Sequence, residues 1–184
     1  DNLSNMVNVI SMNLEYAIKH FDNEADALKC INIAYDTVKG VRIKIRRILD
    51  ELMPVDIESV GLLNSLEALF KKIVGAGMEL DFYYNGIEDE FISKKPHAYV
   101  IYKACMESIN NSFFNGKADK INIVLTQKNG IIKLMIADNG VGCEKIKKGR
   151  GLTQMENNIN SLRGKVEFGS SDEGGFIVRI EIPL

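Results

Sequence analysis

The run Ile131-Ile132-Lys133-Leu134-Met135-Ile136-Ala137 is almost unbroken in apolar character, and it stops at Asp138-Asn139-Gly140-Val141-Gly142. Its length suits a buried strand and is too short for a buried helix. A buried strand needs neighbours along its edges and a layer over its face, so a sheet packed under helices follows. The aspartate at its end is then held at the rim of the core. Gly140 and Gly142 can take positive φ and let another molecule approach the backbone. A carboxylate facing a flat apolar surface accepts a hydrogen bond from an exocyclic amine, which selects adenine over guanine. Asn-Gly is equally the commonest turn dipeptide, so the stretch by itself is also a strand ending in a tight turn.

Two helical patterns precede this strand. Over residues 1–21, Leu3, Val7, Ile10, Leu14, Ala17 and Phe21 fall on one face, and Asp22-Asn23-Glu24 interrupts them. The second pattern runs to about Leu52 with Ile31, Ala34, Val38, Val41, Ile45, Ile48 and Leu52 at heptad spacing. Leu28, Tyr35 and Leu49 widen that stripe beyond a two-helix seam. A short loop forces the two helices antiparallel, and their joint apolar face is too broad for one hairpin to cover. Pairing with a second copy as a dimeric four-helix bundle is expected; packing on the downstream domain is the competing arrangement.

Pro54 stops the second helix, and residues 53–60 read as a hinge. Beyond it the spacing predicts helices over Gly61–Val74, Pro96–Phe113 and Gly151–Leu162. Strands are predicted over Met78–Tyr83, Ile121–Gln127, Ile131–Ala137, Lys165–Phe168 and Phe176–Ile182, with turns at Lys128-Asn129-Gly130 and Gly174-Gly175. The predicted fold class is α+β: an antiparallel helical hairpin over 1–52, then an α/β sandwich with an antiparallel sheet over 61–184.

With 184 residues and 46% apolar content, the chain can bury a real core. Its net charge of −2 gives no basic surface for a polyanion, so no nucleic-acid partner is expected. No run approaches the ~18 apolar residues of a membrane span, and no signal peptide opens the chain. It begins with Asp inside a helical pattern, which reads as a piece of a longer protein. Cys30, Cys105 and Cys143 lack metal-ligand spacing and fit a reduced, cytoplasmic setting as small packing residues.

Glu107 and Asn111 are four residues apart and share a helix face. Asn110 and Asn115 lie in the same helix, where asparagine has low propensity and therefore needs a reason. One reason is a magnesium ion carried in by a nucleotide, for which an amide oxygen is a hard ligand. Glu107 would then orient or deprotonate an attacking group. A solvated helix face is the plain alternative. Lys145, Lys147, Lys148 and Arg150 form a glycine-flanked basic loop able to fold over a triphosphate, or else to stay solvated. Gly149-Arg150-Gly151-Leu152 opens a helix whose first amides attract anions.

From Val60 to Leu184 the chain resembles the ATP-binding domain of sensor histidine kinases, members of the GHKL ATPase superfamily. Glu107-Ser108-Ile109-Asn110-Asn111 resembles the Asn box, Asp138-Asn139-Gly140-Val141-Gly142 the first glycine box, and Gly149-Arg150-Gly151-Leu152 the second. Gly174-Gly175 with Pro183-Leu184 is similar to the closing strand. Gly61-Leu62-Leu63 through Gly77-Met78-Glu79-Leu80 is similar to the subfamily typified by nitrate and membrane-fluidity sensors. Asp1-Asn2-Leu3-Ser4-Asn5 resembles that subfamily's His-Asp-x-x-x-Asn motif with its histidine one residue upstream. The resemblance implies ATP and Mg2+ as ligands, with Asp138 on the adenine amine and Asn111 on the metal. It further implies nucleotide contacts from Asn115, Gly140, Gly142, Lys148, Gly149, Arg150, Gly151 and Leu152. Glu107, Asp1 and Asn5 would be catalytic, Asp1 assisting the phosphoacceptor and Asn5 positioning water. The implied partners are a second copy through residues 1–52, a response-regulator receiver domain, and an upstream sensor region, soluble or membrane-bound.

Three positions depart from the family pattern. Phe114 and Asn115 stand where the subfamily usually has a basic residue and a histidine. Phe176 stands where a threonine usually shares a water with the aspartate, which leaves Asp138 expected to be less well satisfied. A degenerate domain serving as a dimeric interaction scaffold is therefore the second reading. An anti-sigma serine kinase of the same superfamily would lack the heptad hairpin. His20 and His97 are expected as surface or capping residues. The cluster Lys39, Arg42, Lys44, Arg46 and Arg47 is expected to be solvated, or else to dock an acidic receiver domain.

Overall fold

The computed structural model describes the backbone of residues 2–52, 56–75, 77–143, 146, 148–170 and 174–184, and their side chains apart from 2 and 42–52. The chain divides into two compact units, residues 1–55 and 56–184.

The first unit is a hairpin of α1 (Asn2–Lys19) and α2 (Glu24–Leu52). Asn23 starts α2: its side chain receives the amide of Asp26 at 3.4 Å and donates to the Asp26 carboxylate at 2.7 Å. Glu24 and Asp26 in the first turn complement the positive helix end. His20 terminates α1, stacked on Tyr16 and with its Nδ1 3.0 Å from the Tyr16 carbonyl. Among the described side chains the fully buried seam is made of Ala17, Ala27 and Ala34. Val7, Leu14, Leu28, Tyr35 and Val38 remain at least 40% exposed in the single hairpin, as expected of an apolar face too broad for one hairpin to cover. Small residues set the close approach of the two helices, and the large ones flank the seam. The side chains of Arg42, Lys44, Ile45, Arg46, Arg47, Ile48, Leu49 and Leu52 lie outside those described.

The second unit holds α3 (Ile57–Val60), α4 (Leu62–Val74), β1 (Glu79–Asn85), α5 (Asp89–Ser93), α6 (Pro96–Phe114), β2 (Lys120–Lys128), β3 (Ile131–Asp138), α7 (Arg150–Ser161), β4 (Lys165–Ser170) and β5 (Phe176–Pro183). The sheet order is β1-β2-β3-β5-β4. Registered rows such as Ile123, Ile136, Val178 and Phe168, then Leu125, Leu134, Ile180 and Val166, alternate with polar positions. One face is therefore buried under helices and the other carries Lys133, Arg179 and Glu181. Helix α6 packs against α4, α5, α7, β3 and β5, which explains why it is buried on most sides and weakly amphipathic.

The sheet is mixed, not antiparallel as expected. β1 pairs with β2 in parallel, because residues 86–119 return through α5 and α6 to the end where β1 began, as a parallel pair requires. α5 was not foreseen. Its Asp89 carboxylate accepts the Leu63 amide at 3.0 Å and its Ser93 hydroxyl accepts the Leu62 amide at 2.8 Å, so it caps α4 from a distance. The segment expected as a hinge contains α3, begun by an Asp56 cap on Ser59 and anchored by buried Ile57. Among the described residues, no helix is long and apolar enough to cross a membrane.

Candidate functional site

Asp138 ends β3 half-buried, on the same face as Ile136 and opposite Ile121 of β2. Its Oδ1 accepts the amides of Gly140 at 2.9 Å and Phe176 at 3.0 Å. Its Oδ2 lies 2.6 Å from the hydroxyl of Ser112 on α6. That hydroxyl is also 2.9 Å from the Ser108 carbonyl. It has one proton, and the shorter, charge-assisted bond to the carboxylate claims it. The shortfall expected at Asp138, with no threonine at position 176, is made up by other donors. The backbone N–H of Phe176 serves whatever its side chain, and the hydroxyl comes from α6. A carboxylate offers about four acceptor positions. Three are filled, and one on Oδ2 remains for an amine.

The glycines around Asp138 are there for close packing. A Cβ on Gly140 would run into the Gly116 carbonyl, and one on Gly175 into the carbonyl of Asp138 itself. Gly142, at φ +61°, would place a Cβ 2.8 Å from the Gly175 carbonyl. Ser170 clasps the following residue, accepting from the Cys143 amide and donating to its carbonyl, both at 2.9 Å. Asn139 turns away from the site: its Oδ1 takes the amides of Asp119 and Lys120, and its Nδ2 donates to Asp119 at 2.6 Å.

Glu107 and Asn111 on α6 and Asn115, the residue that caps its C-terminal end, form a chain of contacts. Asn115 Nδ2 donates to Asn111 Oδ1 at 3.0 Å, and Asn111 Nδ2 donates to Glu107 Oε1 at 3.2 Å. Because a carboxylate only accepts, this fixes the Asn111 amide with its oxygen turned away from Glu107. That oxygen keeps a second lone pair for a hard cation. Among the described residues no group of three or more His, Cys, Asp and Glu could hold a metal ion. A cation at Asn111 would thus draw its other ligands from phosphate and water, which is how magnesium accompanies a nucleotide.

Helix α7 begins at Arg150 with Gly149 as its cap, which brings no side chain of its own to the first amides. The Glu107 carboxylate lies so close to this first turn that a Cβ on Gly151 would overlap it. Leu152 is half-buried, while Gly149 and Arg150 are exposed. Lys148 is held by both Glu156 oxygens, at 2.7 and 2.8 Å, and sits 5.6 Å from the Phe168 ring centre. Phe168 in turn stacks with Phe176 at 6.3 Å. Lys145, Lys147 and Asp1 lie outside the described residues. Asn5 is exposed on α1. Unit 2 therefore brings Glu107, Asn111 and Asn115 together along α6 and its C-cap, with Asp138 joined to that helix through Ser112 and Gly151 set against Glu107.

No family model matches the chain. It is 27% identical to the sensor histidine kinase LiaS of Bacillus subtilis (strain 168) over 191 residues, covering 100% of this chain and 51% of LiaS. It is 28% identical to the sensor histidine kinase MctS of Rhizobium johnstonii over 159 residues, covering 83% of this chain and 34% of MctS. To the sensor histidine kinase YvfT of Bacillus subtilis it is 30% identical over 131 residues, 70% of this chain and 34% of YvfT. This chain is homologous to the catalytic region of sensor histidine kinases.

The chain spans about half the length of LiaS and a third of MctS and YvfT. The fold agrees with solved histidine kinases. Acinetobacter baumannii AdeS superposes with a TM-score of 0.53 at 16% identity, over 99% of this chain and 96% of that one. The catalytic domain of ThkA gives 0.51 at 14% identity, over 66% of this chain and 90% of that one.

Two features of the candidate site escaped sequence reasoning. Ser112 was passed over, although a serine directly after Asn111 on a buried helix face was a visible anomaly. The clasp by Ser170 had no signal at all, since its partner is 27 positions away. His97 does serve as a tether, its Nε2 2.9 Å from the Pro183 carbonyl at the end of β5.

Proposed function

We propose that this region binds Mg-ATP and passes the γ-phosphoryl to a histidine on the dimerisation hairpin, for relay to a response-regulator aspartate. The observation that carries the reading is the Asp138 carboxylate: held by three donors, half-buried, and with one acceptor position left. An adenine amine completes it, whereas the guanine carbonyl oxygen would set acceptor against acceptor. Such a site discriminates by about 100-fold or more. Asn111 supplies an amide oxygen to the metal, and the metal when bound neutralises phosphate charge. Glu107, fixed by Asn111 and lying against the start of α7, orients the incoming imidazole and takes its proton. Asn115, Gly140, Gly142, Gly149, Arg150, Gly151 and Leu152 line the approach to the phosphates, and Lys148 reaches them after leaving Glu156. No covalent intermediate on this unit is needed; positioning and charge neutralisation supply the rate.

The phosphoacceptor would be the residue encoded before Asp1, with Asp1 and Asn5 as its helpers. The exposed apolar flanks of the hairpin support pairing with a second copy, in which residues 1–52 form the bundle and 61–184 the ATP-binding domain after a linker at 53–60. Calorimetry of the chain with Mg-ATP and Mg-GTP tests the binding step. A longer chain incubated with labelled ATP should acquire acid-labile, base-stable phosphate. Phe114 and Asn115, which bring no charge to the phosphates, favour a second reading as a dimeric scaffold without transfer. No heat of Mg-ATP binding would select it.

A further inference from the structure

We infer that Ser112 is a positioning residue for the nucleobase, holding the Asp138 carboxylate in the orientation that reads an adenine amine. The inference rests on the proposal that Asp138 meets that amine. Ser112 is 3% exposed and its hydroxyl is 2.6 Å from Asp138 Oδ2, the oxygen that keeps the free acceptor position. The two amides bind Oδ1 alone. They fix one oxygen as a pivot and leave rotation about it open, and Ser112 closes that freedom. Its hydroxyl also fills one of the two acceptor positions on Oδ2, so the remaining one points in a single direction. Position 176 contributes a backbone N–H and no hydroxyl, and Ser112 is the only side chain seen donating to this carboxylate among the described residues. Base selectivity in this region therefore depends on a side chain from α6 as well as on the strand carrying the aspartate.

The test uses Ser112→Ala in the full chain, with Mg-ATP and Mg-GTP titrated by calorimetry. Mg-ATP affinity should fall about tenfold, Mg-GTP affinity should change less than twofold, and the preference for adenine should narrow accordingly. A role confined to packing would weaken both nucleotides alike and leave their ratio intact, which would overturn the inference. Should the alanine variant not fold, Ser112→Cys keeps the shape with a far weaker donor and reads the same ratio. A native chain showing no preference for ATP over GTP sinks the parent reading and this one with it. A native preference that survives Ser112→Ala sinks this one alone.

Discussion

Asp138→Asn separates the chemistry of the site from its folding. The amide has one acceptor and one donor group where the carboxylate had two acceptors. Its Oδ1 can still take the Gly140 and Phe176 amides, now as neutral bonds in place of charge-assisted ones. Its Nδ2 then faces Ser112, whose hydroxyl can reverse, accept that N–H, and donate to the Ser108 carbonyl 2.9 Å away. No hydrogen bond is lost in number. The weakening of two of them is partly offset by no longer holding a half-buried charge. The expected cost is about 1–2 kcal/mol, a fall in melting temperature of about 2–8 °C. Nucleotide binding responds differently, because the adenine amine now meets a donor. Loss of a hydrogen bond to a charged group corresponds to about 1.5–3 kcal/mol, or a 10- to 150-fold weaker Mg-ATP complex. Mg-GTP, whose carbonyl oxygen meets that same donor, should not weaken. Differential scanning calorimetry with paired ATP and GTP titrations measures both effects. An unchanged Mg-ATP affinity in a folded variant refutes the assignment of Asp138, and a collapse of the fold refutes the hydroxyl reversal.

Gly175→Ala should destabilise the second unit by about 3 kcal/mol, since φ there is +85° and the new methyl meets the Asp138 carbonyl; denaturant melts read this directly. Glu156→Gln removes the charge opposite Lys148 and should tighten Mg-ATP about two- to fivefold, the worth of a partly exposed pair; calorimetry decides. At pH 8 a thiol reagent should modify exposed Cys143 first and Cys105 only on unfolding. Burial pushes the Cys105 thiol from 9.0 up to about 12. The unfolded thiol therefore loses its proton first, so the stability from this group is full below pH 9 and declines as pH rises towards 12. Light scattering should find the chain as a dimer, and a clean monomer would count against pairing through the hairpin.

What was legible in the sequence was what depends on local spacing. Asp138 ends a strand whose alternation is unmistakable, and Glu107 and Asn111 stand on a long helix opened by Pro96. The direction of β1 was not legible, because pairing sense depends on where a long connection lands. α5 was too short for any period, and its function lies in capping α4 across the fold. Phe176 misled for a different reason. Comparing side chains reported a missing hydroxyl, whereas the backbone amide and Ser112 already satisfy the carboxylate. In the hairpin, heptad spacing marked the large apolar residues, but the alanines decide how closely the helices approach.

The glycines and the polar residues of the site carry different weight as signs of function. A Cβ at Gly140, Gly151 or Gly175 would strike the Gly116 carbonyl, the Glu107 carboxylate and the Asp138 carbonyl respectively. The carboxylate end of Glu107 can move aside, whereas the two backbone carbonyls cannot, so a domain that had lost nucleotide binding would still need Gly140 and Gly175 in order to fold. Packing does not require a half-buried carboxylate with one acceptor position to spare, nor an asparagine amide pinned so that its oxygen keeps a free lone pair. Each spare acceptor position held away from water costs part of its desolvation, which a ligand's donor or cation recovers. The case for a working kinase over an inert scaffold therefore rests on Asp138, Asn111 and Glu107. Substitutions there should separate binding from folding, whereas glycine substitutions should lose both together.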